Sequence, residues 1–261
     1  MTIDIQELTS HIKDQEGYMD QVVIITGASR GLGLSLAKRF LKEGAQVFGV
    51  SRTQRYWKEA FAGLPEGSSM HLYELDLTDE TSVKKFIHGV YRTAGRIDLL
   101  INSAGYGGPL ERTEKLSSRE FKKIIDGNLL STFLTCKYVI PFFKKQKKGT
   151  IINISSMAGQ RAVPQLAAYS ASKFGVVALS QAIAKENPDG DIQCITVCPG
   201  GMNTKMRADL FGAEDAQRQQ HPDFVADIIT RILKNQFPLL SGSDIVIRHG
   251  KVTAVHPPPS A

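Results

Sequence analysis

The sequence predicts a single α/β domain, a doubly wound parallel sheet of about seven strands with helices on both faces. Three observations predict it. Val22-Val23-Ile24-Ile25 is a continuous apolar run with the character of a strand buried on both sides. It enters Thr26-Gly27-Ala28-Ser29-Arg30-Gly31-Leu32-Gly33 at once, and Leu34 to Glu43 then carries helical periodicity up to Gly44. Short apolar runs go on alternating with helical stretches almost to the C-terminal end, with no internal repeat and no interdomain linker.

Composition fits that class. The 261 residues are 42% hydrophobic and 22% charged, enough for a large core in one domain. Residues 1–21 form a polar arm with Asp4, Glu7, Lys13, Asp14, Glu16 and Asp20 and no apolar core, neither a leader peptide nor a membrane anchor. A cytoplasmic protein without membrane partner is expected. The three cysteines, Cys136, Cys194 and Cys198, lie in apolar surroundings without metal-ligand spacing, so buried thiols are expected and no metal site. The net charge of +6 permits anionic partners. Its densest run, Lys144-Lys145-Gln146-Lys147-Lys148, reads as a helix C-terminus, and no basic stripe with interleaved aromatics suggests nucleic acid.

The glycine turn is the first functional segment. Gly27 allows the tight turn, Gly31 lets backbone N–H groups approach a pyrophosphate, and Gly33 lets the helix pack closely on the strand. Gln46 to Ser51 is the second strand. At its end a dinucleotide fold places a carboxylate for the ribose of NAD or a cation for a 2′-phosphate. Here Ser51 is followed by Arg52, and Arg30 stands in the glycine turn, so charge favours NADP(H). Met70 to Leu75 is a strand closing in Asp76 and Leu77, Glu80 to Thr93 a helix, and Asp98 to Ile101 a strand. That strand runs into Asn102-Ser103-Ala104-Gly105, small residues that a cofactor can approach. One long helix is expected from Ser118 to Lys145 with Asn128 in its middle, where a buried amide can hold a water. Thr150 to Ser155 delivers Ser156 to the C-terminal end of a strand, where open α/β sheets bind their ligands.

The next helix, Ala168 to Glu186, carries the chemistry. Tyr169 and Lys173 are four apart and share a face. A tyrosine has a pKa of ~10, and a fixed cation beside it favours the phenolate, which suits a proton-transfer group. Ser156 supplies a neutral hydrogen bond to an oxygen whose charge changes. A donor, an acid/base and a cation make a carbonyl/alcohol site. The same helix is apolar nearly all round, which predicts burial on two sides, one of them a subunit contact in a homodimer or homotetramer. Ile192 to Val197, a helix from Asp223 to Asn235 and a strand at Ile245 to Ile247 complete a domain over residues 22–251; residues 252–261, with Pro257-Pro258-Pro259, are expected as a tail.

In this order and spacing the motifs resemble the short-chain dehydrogenase/reductase family, over about Val22 to Gly250 and with a Rossmann-type fold. The matching positions are Thr26 with Gly27, Gly31 and Gly33, Asp76, Asn102 to Gly105, Asn128, Ser156, Tyr169 with Lys173, and Pro199-Gly200 with Thr204. The resemblance implies that Tyr169 is the acid/base, that Lys173 lowers its pKa and holds the nicotinamide ribose, that Ser156 binds the substrate oxygen, and that Asn128 positions a relay water. It further implies cofactor contacts from Gly27, Ser29, Arg30, Gly31, Leu32, Gly33, Ser51, Arg52, Asp76, Leu77, Asn102, Ala104, Gly105, Pro199, Gly200 and Thr204. At the end, Arg248-His249-Gly250-Lys251 replaces the family's common Asp-Gly-Gly.

The substrate is expected to be a small carbonyl or alcohol compound, with 3-oxoacyl thioesters, keto-sugars, hydroxysteroids and small ketones all open. Met202 to Gln220 is expected to form a lid whose inner face carries Met202, Met206 and Leu210, and Arg161, Lys205, Arg207 and Arg218 stand either for an anion site or for a solvated surface. The alternative to an enzyme is an NADP(H)-sensing regulator on the same fold, which has no need of the four polar site residues together.

Overall fold

The computed structural model describes residues 18–64, 67–234 and 239–258. β1 (Val22–Thr26) is buried at every position, and β2 (Gln46–Ser51) at every position after its first, as a central parallel sheet requires. α1 (Gly31–Lys42) connects them and turns Leu32, Leu36, Ala37 and Phe40 inward. One short helical turn, α2 (Trp57–Ala60), precedes β3 (Met70–Glu74). α3 (Glu80–Ala94) begins where the Asp79 carboxylate accepts the Thr81 N–H and ends on Gly95 at φ 75°, then leads to β4 (Leu99–Asn102). α4 (Ser118–Ile125) and α5 (Ser131–Gln146) come next, then β5 (Gly149–Ile154), α6 (Ala167–Glu186) and β6 (Ile192–Pro199). α7 (Lys205–Phe211), α8 (Ala213–Gln217), α9 (Pro222–Leu233), β7 (Asp244–Arg248) and β8 (Lys251–His256) complete the described chain.

The strands lie in the order β3-β2-β1-β4-β5-β6-β7-β8. β3 to β7 are parallel, and β8 returns antiparallel to β7. Alternation along β1 divides the core: Val23 and Ile25 join α1 and α9 on one face, Val22 and Ile24 join α3 and α5 on the other. The strand order reverses at β1, so β2 and β4 flank it and open a crevice at their C-terminal ends.

Three expectations change. The sheet has eight strands among the described residues, and the eighth occupies 251–256, where a tail was expected; pairing with β7 from Asp244↔His256 to Arg248↔Lys251 covers the edge of β7. The tail proper begins only at Pro257, and 259–261 lie outside the described residues, as does most of the polar arm. From that arm Tyr18 is described: it is buried edge-on against Phe40 and donates its hydroxyl to Thr230 O at 2.7 Å. The long helix is not continuous, because a π-turn over Asp126–Leu130 separates α4 from α5. Within this chain α6 buries one face, with Ser172, Lys173, Val176 and Ile183 inside and Ala171, Phe174, Ala178 and Ala182 exposed, so the second side of the expected burial would have to come from another copy.

Candidate active site

β5 and α6 meet at the C-terminal edge of the sheet, and this brings the catalytic candidates together. After β5 the chain makes a 3-10 turn, Met157–Gly159, with Ser156 as its N-cap. Ser156 Oγ accepts the Ala158 N–H at 3.1 Å, which leaves its own proton free to donate. The neighbouring Ser155 spends its hydroxyl on the Lys173 carbonyl at 2.9 Å, so Ser156 is the serine with a proton to offer. Lys173 Nζ is buried, donates to Ile154 O at 2.9 Å, and stands 5.8 Å from the centroid of the Tyr169 ring.

Burial sets the protonation of this group. It lowers the Lys173 pKa to about 8, with the nearby Cys198 thiol acting in the opposite sense. It raises the Tyr169 phenol above its ordinary value, and the hydrogen bond to the Ser156 hydroxyl opposes that rise. The expected depression of the phenol by Lys173 is therefore corrected: the ammonium is directed at the Ile154 carbonyl, and desolvation is the larger effect on the phenol.

Asn128 lies in the π-turn and is wholly buried. The turn is stabilised by side chains that take its displaced carbonyls: Ser131 Oγ donates to Gly127 O at 2.9 Å and Thr132 Oγ1 to Asn128 O at 2.8 Å. Both amide protons of Asn128 are used, on Tyr106 O at 3.0 Å and Ser172 Oγ at 2.9 Å, while its Oδ1 accepts the Tyr106 N–H at 2.7 Å. Asn128 thus clamps the turn after β4 to α6. What it keeps for a water is one lone pair of Oδ1; a β-carbon on Gly105 would lie 3.3 Å from that oxygen and 3.7 Å from Lys173 Nζ, so both atoms border one point.

A cleft of about 540 Å³ runs from Tyr169 and Lys173 along the glycine turn, with Ser155 on its wall and Ser156 and Asn128 next to it but off the wall. Gly27, Ser29, Arg30, Gly31, Leu32, Ser51, Arg52, Asp76, Leu77, Ala104, Gly105, Tyr169, Lys173 and Thr204 lie on its wall. The other expected contacts stand behind it. Gly33 packs α1 on β1, since a β-carbon there would sit 2.4 Å from Gly27 O. Asn102 points into a buried network, donating to Asn153 Oδ1 at 2.9 Å and accepting from Thr135 Oγ1 at 2.7 Å. Pro199 ends β6, and Gly200 N–H donates to Ile247 O at 2.7 Å. Ser51 lines the cleft with its hydroxyl already engaged, accepting from Trp57 Nε1 at 2.6 Å and donating to Thr53 O at 2.8 Å.

The cleft suits a dinucleotide. The N-terminus of α1 has neither a side-chain cap nor an acid in its first turn, so its N–H groups face the cleft uncompensated. Arg30 and Arg52 are exposed and pair with no acidic group among the described residues. Thr26 belongs to the glycine motif but was given no role by the sequence: its Oγ1 accepts the Ser103 and Ala104 N–H groups, both at 3.0 Å, and so joins β1 to the turn after β4. A lone threonine before a glycine gives no signal for that bond. On the lid, Met202 and Met206 line the cleft and Leu210 packs on Gly107, where a β-carbon would lie 2.8 Å from its Cδ1. The lid cations are paired within the lid: Lys205 with Asp209 at 2.7 Å, Arg207 with Asp215, and Arg218 with Glu214. That pairing favours a solvated surface over an anion site, and Arg161 stands apart on the exposed surface.

Comparison with known proteins gives the same answer over most of the chain. The short chain dehydrogenase family matches residues 21–215. A 3beta-hydroxysteroid dehydrogenase of Mediterraneibacter gnavus is 32% identical over 188 residues, 72% of this chain and 68% of that one. An NADPH-dependent pterin aldehyde reductase of Arabidopsis thaliana is 30% identical over 203 residues, 78% of this chain and 83% of that one. Among solved structures, levodione reductase superposes with a TM-score of 0.82 at 26% identity, covering 89% of this chain and 97% of its own. Fold, glycine turn and relatives agree: the chain belongs to the short-chain dehydrogenase family and is an oxidoreductase of carbonyl and alcohol substrates with an NAD(P)-type cofactor.

Proposed function

We propose that this protein is an NADP(H)-dependent reductase of ketones or 3-oxo compounds, cytoplasmic and homo-oligomeric, with Ser156, Tyr169, Lys173 and Asn128 as its catalytic set. The observation that carries the reading is the cluster of half-buried Ser156 and Tyr169 with buried Lys173, beside a cleft whose other end has two arginines that pair with no acidic group among the described residues and no carboxylate directly after β2. The nicotinamide supplies the hydride when bound. Ser156 donates a hydrogen bond to the substrate oxygen, and Tyr169 gives that oxygen its proton. Lys173 would hold the ribose hydroxyls, and a water between Asn128 Oδ1 and Lys173 Nζ would pass a proton from solvent to restore the Tyr169 hydroxyl. Acid/base transfer of this kind contributes about 10²–10⁴-fold in rate. Arg52 and Arg30 select the 2′-phosphate, and the α1 N-terminus takes the pyrophosphate.

The test is a carbonyl screen and then a comparison of cofactors. Steroid ketones, cyclic diketones, keto-sugars and 3-oxoacyl thioesters are offered with NADPH and with NADH. A charge-assisted hydrogen bond contributes roughly 1.5–3 kcal/mol, so kcat/KM should favour NADPH by about ten- to a hundred-fold, and Arg52→Ala should remove much of that preference. Equal efficiency with both cofactors refutes the assignment to NADP(H). Tight NADPH binding without turnover of any carbonyl compound would leave a cofactor sensor.

A further inference from the structure

Behind Ser156 lies a polar cluster that hydride and proton transfer do not use. Asp244, the first residue of β7, is 4% exposed. Its Oδ2 accepts from Gln181 Nε2 on α6 at 3.3 Å and from Gln160 Nε2 at 3.5 Å. Its Oδ1 and the hydroxyl of Thr196, its register partner on β6, are both buried and make no hydrogen bond of ordinary geometry, although the hydroxyl stands near enough to oppose the rise that burial gives the carboxyl pKa. Gln160 is the C-cap of the same 3-10 turn that Ser156 caps at the other end. The second amide proton of Gln160 goes to Cys198 Sγ at 3.3 Å, so both of its protons are spent on neighbouring strands of the sheet.

The turn is also fixed from the helix side. A β-carbon on Gly159 would lie 2.7 Å from Lys173 O, the carbonyl that Ser155 Oγ binds. Three attachments therefore converge on five residues, and one of them ends on a buried carboxylate. A buried carboxylate is a costly choice for filling space, because an apolar side chain would pack there without desolvating a charge. Its use is as an acceptor for two amides at once.

We propose that Asp244 is a positioning residue that acts through Gln160 to fix the turn carrying Ser156. The proposal rests on Ser156 being the donor to the substrate oxygen. A shift of the donor by about 1 Å is enough to cost on the order of a hundred-fold in rate.

Four variants test it beside Ser156→Ala as a fifth, with kcat, cofactor dissociation constant and melting temperature measured for each. Asp244→Leu removes the acceptor and keeps the volume, so kcat should fall about ten- to a hundred-fold while NADPH affinity stays within about two-fold. Asp244→Asn should restore most of kcat, because its carbonyl oxygen takes both glutamine amides and its amide faces Thr196 Oγ. Gln160→Leu should copy Asp244→Leu and tests the same contact should the latter not fold. The double variant should be no worse than the poorer single one, since both remove one connection. Full kcat in Gln160→Leu with Ser156→Ala inactive would overturn the proposal alone. Additive losses in the double variant, or Asp244→Asn as poor as Asp244→Leu, would also overturn it. Full kcat in Ser156→Ala would overturn the role of Ser156 and the proposal with it.

Discussion

Lys173 shows how much of a site can be read from spacing and how much cannot. Its place beside Tyr169 comes from four residues on a helix, and the sequence indicates it directly. The sense of the pKa shifts does not come from spacing. It depends on Ile154 offering a carbonyl 2.9 Å away and on how deeply both groups are buried, which only the assembled fold determines. The same holds for Asn102, Asn128 and Ser51, whose polar atoms found partners beyond their own elements. Lys173 has a folded pKa of about 8 against 10.5 for the free side chain, so the unfolded chain binds more protons between those values. Its burial therefore costs stability fully below pH ~8, and the cost fades as pH rises toward ~10.5. At about 1.4 kcal/mol per pKa unit the cost is up to roughly 3 kcal/mol. Lys173→Met should accordingly lose activity while melting higher than the wild type in the ligand-free state at pH 7, with the gap narrowing as pH rises to about 10.5. A lower melting temperature for the variant at neutral pH would contradict this.

At the scale of elements, buried strands and the glycine turn were legible because their patterns are strict. Val22 to Ile25 admits no wet face, and three glycines between strand and helix have few other uses. Gly33 has the tightest of these requirements. Gly33→Ala would drive a methyl group to within 2.4 Å of Gly27 O, and the strain should cost roughly 1–3 kcal/mol in denaturant unfolding. An unchanged midpoint would mean that α1 moves away freely. The π-turn escaped notice because Asp126 to Leu130 has no composition of its own; an extra residue per turn leaves the apolar pattern on either side nearly intact. β8 was missed for a related reason. Lys251–His256 sets two valines and a threonine among charged and small residues and runs straight into prolines, and pairing with β7 outweighs that weak signal.

At the scale of the molecule, the described chain leaves an apolar strip of α6 uncovered: Ala171, Phe174, Ala178 and Ala182, with Phe174 43% exposed. Phe121 on α4 and Phe133 on α5 are 45% and 42% exposed. Rings so exposed on neighbouring helices suit a self-complementary contact between two copies. Phe174→Glu should shift sedimentation from oligomer toward monomer at micromolar protein, and a wild type that is monomeric under those conditions would exclude the contact. The assignment of the catalytic set is tested most directly by the turnover number of Tyr169→Phe, measured with NADPH binding on the same sample. Removal of one hydroxyl keeps the ring that packs in the cleft and deletes the proton donor, so kcat should fall by about 10²–10⁴-fold with cofactor affinity nearly unchanged. A variant that binds NADPH normally and turns over at a rate near that of the wild type would contradict the assignment of Tyr169 as the acid.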